Sequence, residues 1–380
     1  MMIVHVHHTF YPVLGGLERA VYSISKELVK LGHEVHVVTS TYGARDSPRY
    51  EEIDGIHVHR LRALTLGFPD LTIPREIPRD ILKRADVVYG WSQNSLFTYA
   101  ICRKAKKLGK PVVVYFLGVD YLRYHYNPAI RVFGYAYQKW ITREVAKLTD
   151  LALVTNEYEK KLLKERYGLD AIVLPHGVDD IYLTLPNMAE YFRKKYSIEG
   201  KIVAYIGRIH PTKGLDMLVR AFAKVVKHLP DAVLVIAGKG DTRYLEKCLK
   251  LAEKLGIKSK VRYIGYIPEE DKIALIDASN VVVLPTRHAG ESYPLLIDEV
   301  IARGKTIIIT SISTALKERA KGCPNVKIVQ VNVDALAHAL RSVVENLRRS
   351  STSCLGLYSW SGVAATLSRL IEETLLRCWS

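Results

Sequence analysis

The 380 residues contain no apolar run close to the ~18 residues that a membrane-crossing helix requires. The opening MMIVHVHH has no basic stretch ahead of an apolar one and no small-residue cleavage pattern, so a secretory signal peptide is not expected. Cysteine is sparse. Cys102, Cys248, Cys323, Cys354 and Cys378 are scattered, odd in number and without a C-x-x-C pair, which points to reduced thiols in a cytoplasmic protein. No Walker A sequence and no G-x-S-x-G elbow occurs. Gly238-Lys-Gly240-Asp-Thr-Arg243 begins like G-x-G-x-x-G but lacks the third glycine, so a nicotinamide dinucleotide site is poorly supported. Acidic residues are few: 39 Asp and Glu face 55 Lys and Arg, a formal net charge of +16. That balance favours nucleic acid, phospholipid headgroups or phosphorylated substrates, and it equally suits general solubility.

The remaining composition, 48% hydrophobic and 25% charged, is that of an ordinary globular chain, and the length suggests two domains. Strand patterns at 2–7, 34–40, 56–60, 86–90, 111–116, 151–155 and 171–174 alternate with helical patterns at 17–31, 94–107 and 157–166. The segment 179–200 is polar and turn-rich and reads as a linker. The pattern then restarts, with strands at 201–206, 232–237, 261–264, 280–284, 305–310 and 326–331 and helices at 215–228, 243–255, 269–278, 293–303 and 334–348. Such alternation predicts α/β architecture: two Rossmann-like, doubly wound parallel-sheet domains, 1–178 and 179–357, facing a cleft, with a final helical segment 358–380.

The stretch Pro285–Gly304, PTRHAGESYPLLIDEVIARG, joins a buried strand pattern to a helix through a polar loop, the place where open α/β sheets bind ligands. The start of the helix suits a phosphate, and Glu291 and Glu299 suit hydroxyls. Glu299 lies on an apolar face and needs a partner, either ribose hydroxyls or Arg303 at the i,i+4 spacing. In GRIHPTKG, Arg208 and Lys213 between Gly207 and Gly214 are suitable diphosphate ligands, one bidentate and one a point charge. Gly15 and Gly16 open the first helix for close backbone approach. His5, His7 and His8 do not converge on one face of a strand, which argues against a metal, and His7 or His8 lines the cleft. Residues 115–147 are rich in tyrosine and cations, including Tyr121, Tyr124, Tyr126, Phe133, Trp140, Arg123, Arg131, Lys139, Arg143 and Lys147. They fit an anionic membrane with a lipid-linked acceptor, a stack of single-stranded bases, or a half-buried helix with snorkelling cations. No nucleic-acid module accompanies the charge, so nucleic acid is not an expected partner.

Taken in order, these motifs resemble the retaining glycosyltransferases of family four, which have the GT-B fold. The resemblance runs through Gly15-Gly16-Leu-Glu18-Arg19, Leu31–Val35, His176-Gly177-Val178-Asp179, GRIHPTKG, Gly238-Lys-Gly240, Gly265-Tyr266-Ile267-Pro268, Glu291-x7-Glu299 and Tyr358-Ser-Trp360. It implies transfer of a hexose-type sugar from a nucleoside-diphosphate-sugar, a substrate rather than a cofactor, to a lipid-linked or saccharide hydroxyl. It further implies Glu291, Arg208 and Lys213 as the catalytic set, without metal. Donor contacts would come from Gly16, Arg208, Lys213, Gly238, Ile267, Glu291, Tyr293, Leu295 and Glu299, with His8, Asp120 and Tyr121 on the acceptor side. The enzyme would work in the cytoplasm, at the inner face of the membrane, and the last helix would return to the first domain. The chain departs from the family pattern at Leu117, Pro294 and Ser313-Thr314, where histidine, glycine and a glycine pair are usual. Those departures leave open a catalytically impaired relative that binds a nucleotide sugar or a partner protein.

Overall fold

A computed structural model describes residues 1–13, 15–125, 127–310, 312–345 and 358–379. Tyr126 and residues 346–348 of the expected helix lie outside that set. The chain divides into two compact units, Met1–Asp179 with Tyr358–Ser380, and Asp180–Leu357.

In the first unit the strands are β1 (Met2–Val6), β2 (Glu34–Ser40), β3 (Tyr50–Ile53), β4 (Ile56–Leu61), β5 (Ala63–Thr65), β6 (Thr72–Pro74), β7 (Val87–Trp91), β8 (Val112–Phe116), β9 (Leu151–Val154) and β10 (Ala171–Val173). Eight of them form one sheet in the order β10-β9-β8-β7-β1-β2-β4-β3, parallel except for the edge strand β3. β5 and β6 pair separately as a small antiparallel hairpin. β1, β7 and β8 are buried throughout, as strands covered on both faces must be, and their sequences are correspondingly near-continuous apolar runs. The helix Gly16–Lys30 crosses from β1 to β2, and the C-terminal helix Trp360–Trp379 packs along it.

The second unit has β11 (Lys201–Ile206), β12 (Ala232–Ala237), β13 (Val261–Gly265), β14 (Val281–Leu284), β15 (Ile307–Thr310) and β16 (Val326–Val329). All are parallel, in the order β13-β12-β11-β14-β15-β16. Helix Leu215–Val225 buries Leu215, Leu218, Val219 and Phe222 against this sheet together with Leu336 and Leu340.

Segment 179–200 is not a linker. It forms the helices Ile181–Thr184 and Ala189–Tyr196, and it is bound into the second unit by charge pairs invisible to local composition. Arg303 donates to Asp277 at 2.9 and 2.7 Å and to the carbonyls of Tyr182, Leu185 and Pro186. Lys195 pairs with Asp271 at 2.8 Å, and Phe192 is fully buried. The expectation of thiols throughout also needs correction. Cys102, Cys248 and Cys378 are free, whereas Cys323 is disulfide-bonded.

Candidate functional site

In the second unit the strand order reverses between β11 and β14, which lie side by side. Loops that leave adjacent parallel strands at such a point diverge to opposite faces and leave a crevice at the carboxyl ends. One loop carries Arg208 and Lys213, and the other carries Glu291. They are stitched together by backbone: the Arg287 N–H donates to the Thr212 carbonyl at 2.7 Å. Gly214, at φ +67°, lies so close to Pro285 that a Cβ would fall 2.1 Å from its carbonyl oxygen. The loop after β12 joins the same layer. Gly238, at φ +138°, leaves no room for a Cβ beside the Gly207 carbonyl, and its N–H donates to Gly265 at 2.7 Å. Glycine at 214 and 238 is therefore dictated by the approach of two backbones.

Within this layer Lys213 Nζ lies 2.6 Å from Glu291 Oε2, with both side chains less than a fifth exposed. Burial pushes the Glu291 carboxyl up, but Lys213, His288 and the Thr286 hydroxyl outweigh it and hold the group below its ordinary value. Glu291 is thus a carboxylate beside a cation. Its loop is fastened by Ser313, whose hydroxyl donates to the Glu291 carbonyl at 2.5 Å while capping the helix Thr314–Ala320. In the sequence Ser313 stands out only as a departure from the family pattern, not as an anchor. The S-x-x-L start of a short helix was the available signal. Arg208, just past β11, is exposed, and no hydrogen bond or ion pair engages its guanidinium among the described residues.

The helix after the Glu291 loop spans Leu295–Ala302, two residues later than expected at its start. Pro294 disfavours helical geometry at Tyr293, so the helix begins only after it. Glu299 is buried on this helix and pairs with Lys272 Nζ at 2.6 Å, not with Arg303, which is committed to Asp277. Lys272 was not singled out in the sequence, because it lies on the neighbouring helix Glu269–Ala278. The Tyr293 ring rests on the Arg319 guanidinium at 5.1 Å, and Arg319 in turn pairs with Asp298. Ile267 is buried two residues beyond Gly265, and Leu295 is half-buried at the first helical position. The structure therefore gathers Arg208, Lys213, Gly238 and Glu291 at one sheet end, with Glu299 on the helix that follows.

The first unit has its own reversal, between β1 and β7. His8 follows β1, and its Nδ1 lies 3.1 Å from the Ser95 hydroxyl beyond β7. Burial and the adjacent His7 keep His8 neutral. His5 is held instead by Ser25 and Trp91, and burial lowers it to about 3. Among the described residues no three His, Cys, Asp or Glu are placed to hold a metal. Gly16 opens the first helix on empty space, with nothing within 4 Å of where its Cβ would stand. Asp120 is buried and paired with Arg166 and Arg123, so its charge is already engaged, and Tyr121 follows it half-buried. At Leu117 the backbone is clamped by Gln93, which accepts from its N–H at 2.9 Å and donates to its carbonyl at 3.1 Å. Buried Glu159 accepts from the N–H groups of Gly118 and Val119. This strand-end loop is rigidly framed.

Residues 14–181 match the family described as Glycosyltransferase Family 4, and residues 188–352 match Glycosyl transferases group 1. The GPI3 subunit of phosphatidylinositol N-acetylglucosaminyltransferase from Saccharomyces cerevisiae is 23% identical over 93% of this chain and 79% of its own. The phosphatidyl-myo-inositol mannosyltransferase of Mycobacterium tuberculosis is 27% identical over 58% of each chain. Among solved structures, sucrose-phosphate synthase from Thermosynechococcus elongatus superposes with a TM-score of 0.81 at 17% identity, covering 99% of both chains. Anabaena HepE in complex with UDP and glucose gives 0.73 at 15% identity, covering 97% and 99%. These likenesses establish the GT-B fold.

Proposed function

We propose that this chain, which belongs to the group 1 glycosyltransferases of family four, moves a hexose-type sugar from a nucleoside-diphosphate-sugar to a hydroxyl. The observation that carries this reading is the convergence of Arg208, Lys213 and Glu291 where the second sheet reverses. Arg208, without an ion-pair or hydrogen-bond partner among the described residues, is suited to bidentate hold of a diphosphate, and Lys213 supplies a second positive charge. The N-terminal turn of Leu295–Ala302 offers N–H groups that no helix can pair internally. Glu299, fixed by Lys272, faces the ribose hydroxyls, and Glu291 orients those of the sugar.

With two cations and a helix end offsetting the leaving-group charge, the reaction needs no metal. The acceptor oxygen bonds to the anomeric carbon on the face from which the diphosphate leaves. The C–O bond to phosphate breaks with its electron pair, and the departing phosphate oxygen takes the acceptor proton, so configuration is retained. That the yeast and mycobacterial relatives are named for phosphatidylinositol acceptors supports a lipid-linked acceptor, and the HepE complex supports a uridine donor. The enzyme works in the cytoplasm, at the inner membrane face when its acceptor is lipid-linked.

Incubation with labelled nucleotide sugars and lipid or saccharide acceptors tests the proposal, the anomeric configuration of the product being read by NMR. Transfer that is abolished in Arg208→Ala supports it. Donor binding without transfer to any acceptor identifies the impaired, binding-only relative instead.

A further inference from the structure

The β5–β6 hairpin of the first unit is built with its polarity reversed. Leu64 and Ile73 are opposite one another in the register and share a face, as do Thr65 and Thr72 on the other. The threonine face turns inward: Thr72 is fully buried and its hydroxyl lies 2.9 Å from that of Thr65. Leu64 and Ile73 are left 45% and 38% exposed, and Leu66 in the connecting turn 52%. A hairpin at a water surface orders its side chains the other way round.

The helix Leu96–Lys107 packs against both this hairpin and the helix Tyr135–Ala146. Residues in and just before the latter helix supply a second exposed apolar group. Val132 and Phe133, in a π-helical turn over Ile130–Gly134, are 64% and 76% exposed. Trp140, edge-on to Tyr99 of the intervening helix, is 50% exposed. Cations outnumber acids around these side chains, although Arg123, Lys147 and Lys106 are paired with Asp120, Glu144 and Asp150, and Glu76 beside the hairpin is paired with Arg49. Between residues 123 and 147 stand Arg123, Arg131, Lys139, Arg143 and Lys147 against one acid, Glu144. The central helix carries Arg103, Lys104, Lys106 and Lys107 and no acid, and exposed Arg62 and Arg75 flank the hairpin.

We infer that the hairpin tip and the 130–140 ridge form one membrane-docking face, in which Leu64, Leu66, Ile73, Phe133 and Trp140 enter the headgroup boundary of an anionic bilayer. Apolar side chains inside a ring of cations match a surface that is greasy beneath and negative above. Single-stranded nucleic acid would meet the cations, but it gives Leu64, Leu66 and Ile73 nothing to enter. Among the described residues no helix is long and apolar enough to cross a membrane, so the contact is one of lying on the surface. The inference deepens the acceptor side of the proposed function by naming where a lipid-linked acceptor is met.

Co-sedimentation of the whole chain with vesicles tests it without donor or turnover, so its outcome is separable from that of the transferase reading. The chain is expected to pellet with phosphatidylcholine vesicles containing about 30% phosphatidylglycerol, to release as salt is raised, and to ignore pure phosphatidylcholine. The double variants Leu64→Ser/Ile73→Ser and Phe133→Ser/Trp140→Ser change exposed side chains only, and each is expected to lower partition about tenfold or more. Leu376→Ser, an equally exposed site on the C-terminal helix, is the control that leaves partition unchanged. Failure to pellet with anionic vesicles overturns the inference, as does pelleting indifferent to both double variants. So does a shift from dimer to monomer in the variants, because a second copy would then be what covers the face.

Discussion

Lys213 and Glu291, 78 residues apart in sequence, are joined at 2.6 Å across two loops that leave neighbouring strands. The pair makes each side chain a condition of the other's burial. Lys213→Met leaves a largely buried carboxylate without its cation, a loss on the order of 3–5 kcal/mol at neutral pH. The sign with pH follows from the lowered Glu291 carboxyl. In the wild type its stabilisation is present above the ordinary glutamate range and is lost as pH falls through the lower native value. In Lys213→Met burial is opposed only by His288 and the Thr286 hydroxyl, so the carboxyl rises and protonates more readily, and the gap between variant and wild type narrows in acid. Urea unfolding at neutral and mildly acidic pH measures both gaps.

Ser313 is expected to act on Glu291 through its carbonyl. Ser313→Gly removes that hydrogen bond and the cap of Thr314–Ala320, for about 0.5–2 kcal/mol of stability. If Glu291 holds the sugar rather than the nucleotide, as proposed, kcat is expected to fall while affinity for the free nucleoside diphosphate stays within about twofold. Parallel kinetics and calorimetry check the split, and Ser313→Thr, which keeps the hydroxyl, restores it.

Arg303 and Lys272 separate structure from site. Arg303→Ala strips buried Asp277 of its partner and frees the carbonyls of Tyr182, Leu185 and Pro186. The melting temperature should drop by an amount equivalent to about 3–5 kcal/mol, while the protein that remains folded binds nucleotide normally. Lys272→Ala destabilises as well, but it also releases Glu299 and so weakens nucleoside binding relative to a ribose-free diphosphate. Titration with both ligands distinguishes them.

Gly238→Ala places a methyl on the Gly207 carbonyl at a backbone angle closed to other residues. We expect at least about 2 kcal/mol of destabilisation and loss of donor affinity. Gly16→Ala, which meets open space and keeps an ordinary helical position, should leave stability within about 0.5 kcal/mol. Thermal melts of the two variants supply the comparison.

Much of the fold is legible where local signals agree. Glu34–Ser40, Lys201–Ile206, Ala232–Ala237 and Glu269–Ala278 occupy the spans their apolar runs and flanking turn residues indicate. The segment 179–200 misleads because its charges look solvated until Arg303 and Asp271 are brought to it from 121 and 76 residues away. The β5–β6 hairpin escaped notice for the opposite reason: its strands are three residues long and bury threonine. At the site, the positions of Arg208 and Lys213 are legible because the end of a parallel strand places them, whereas Gly238 is reached only through the family resemblance. The partners Lys272 and Ser313 are not legible, since each joins from another helix. Arg303, four residues from Glu299, offered a plausible local partner and turned out to belong elsewhere.

Calorimetric titration of nucleoside diphosphates and their sugar conjugates into the wild type and Arg208→Ala tests the proposed diphosphate site most directly. Arg208 is exposed and without an ion-pair or hydrogen-bond partner among the described residues, so its removal should leave the fold intact. One site per chain is expected in the wild type, with an affinity about 10–100-fold weaker in the variant through loss of a charge-assisted diphosphate contact. Equal affinity in the two proteins would contradict the proposed site, because the diphosphate would then lie somewhere other than the end of β11.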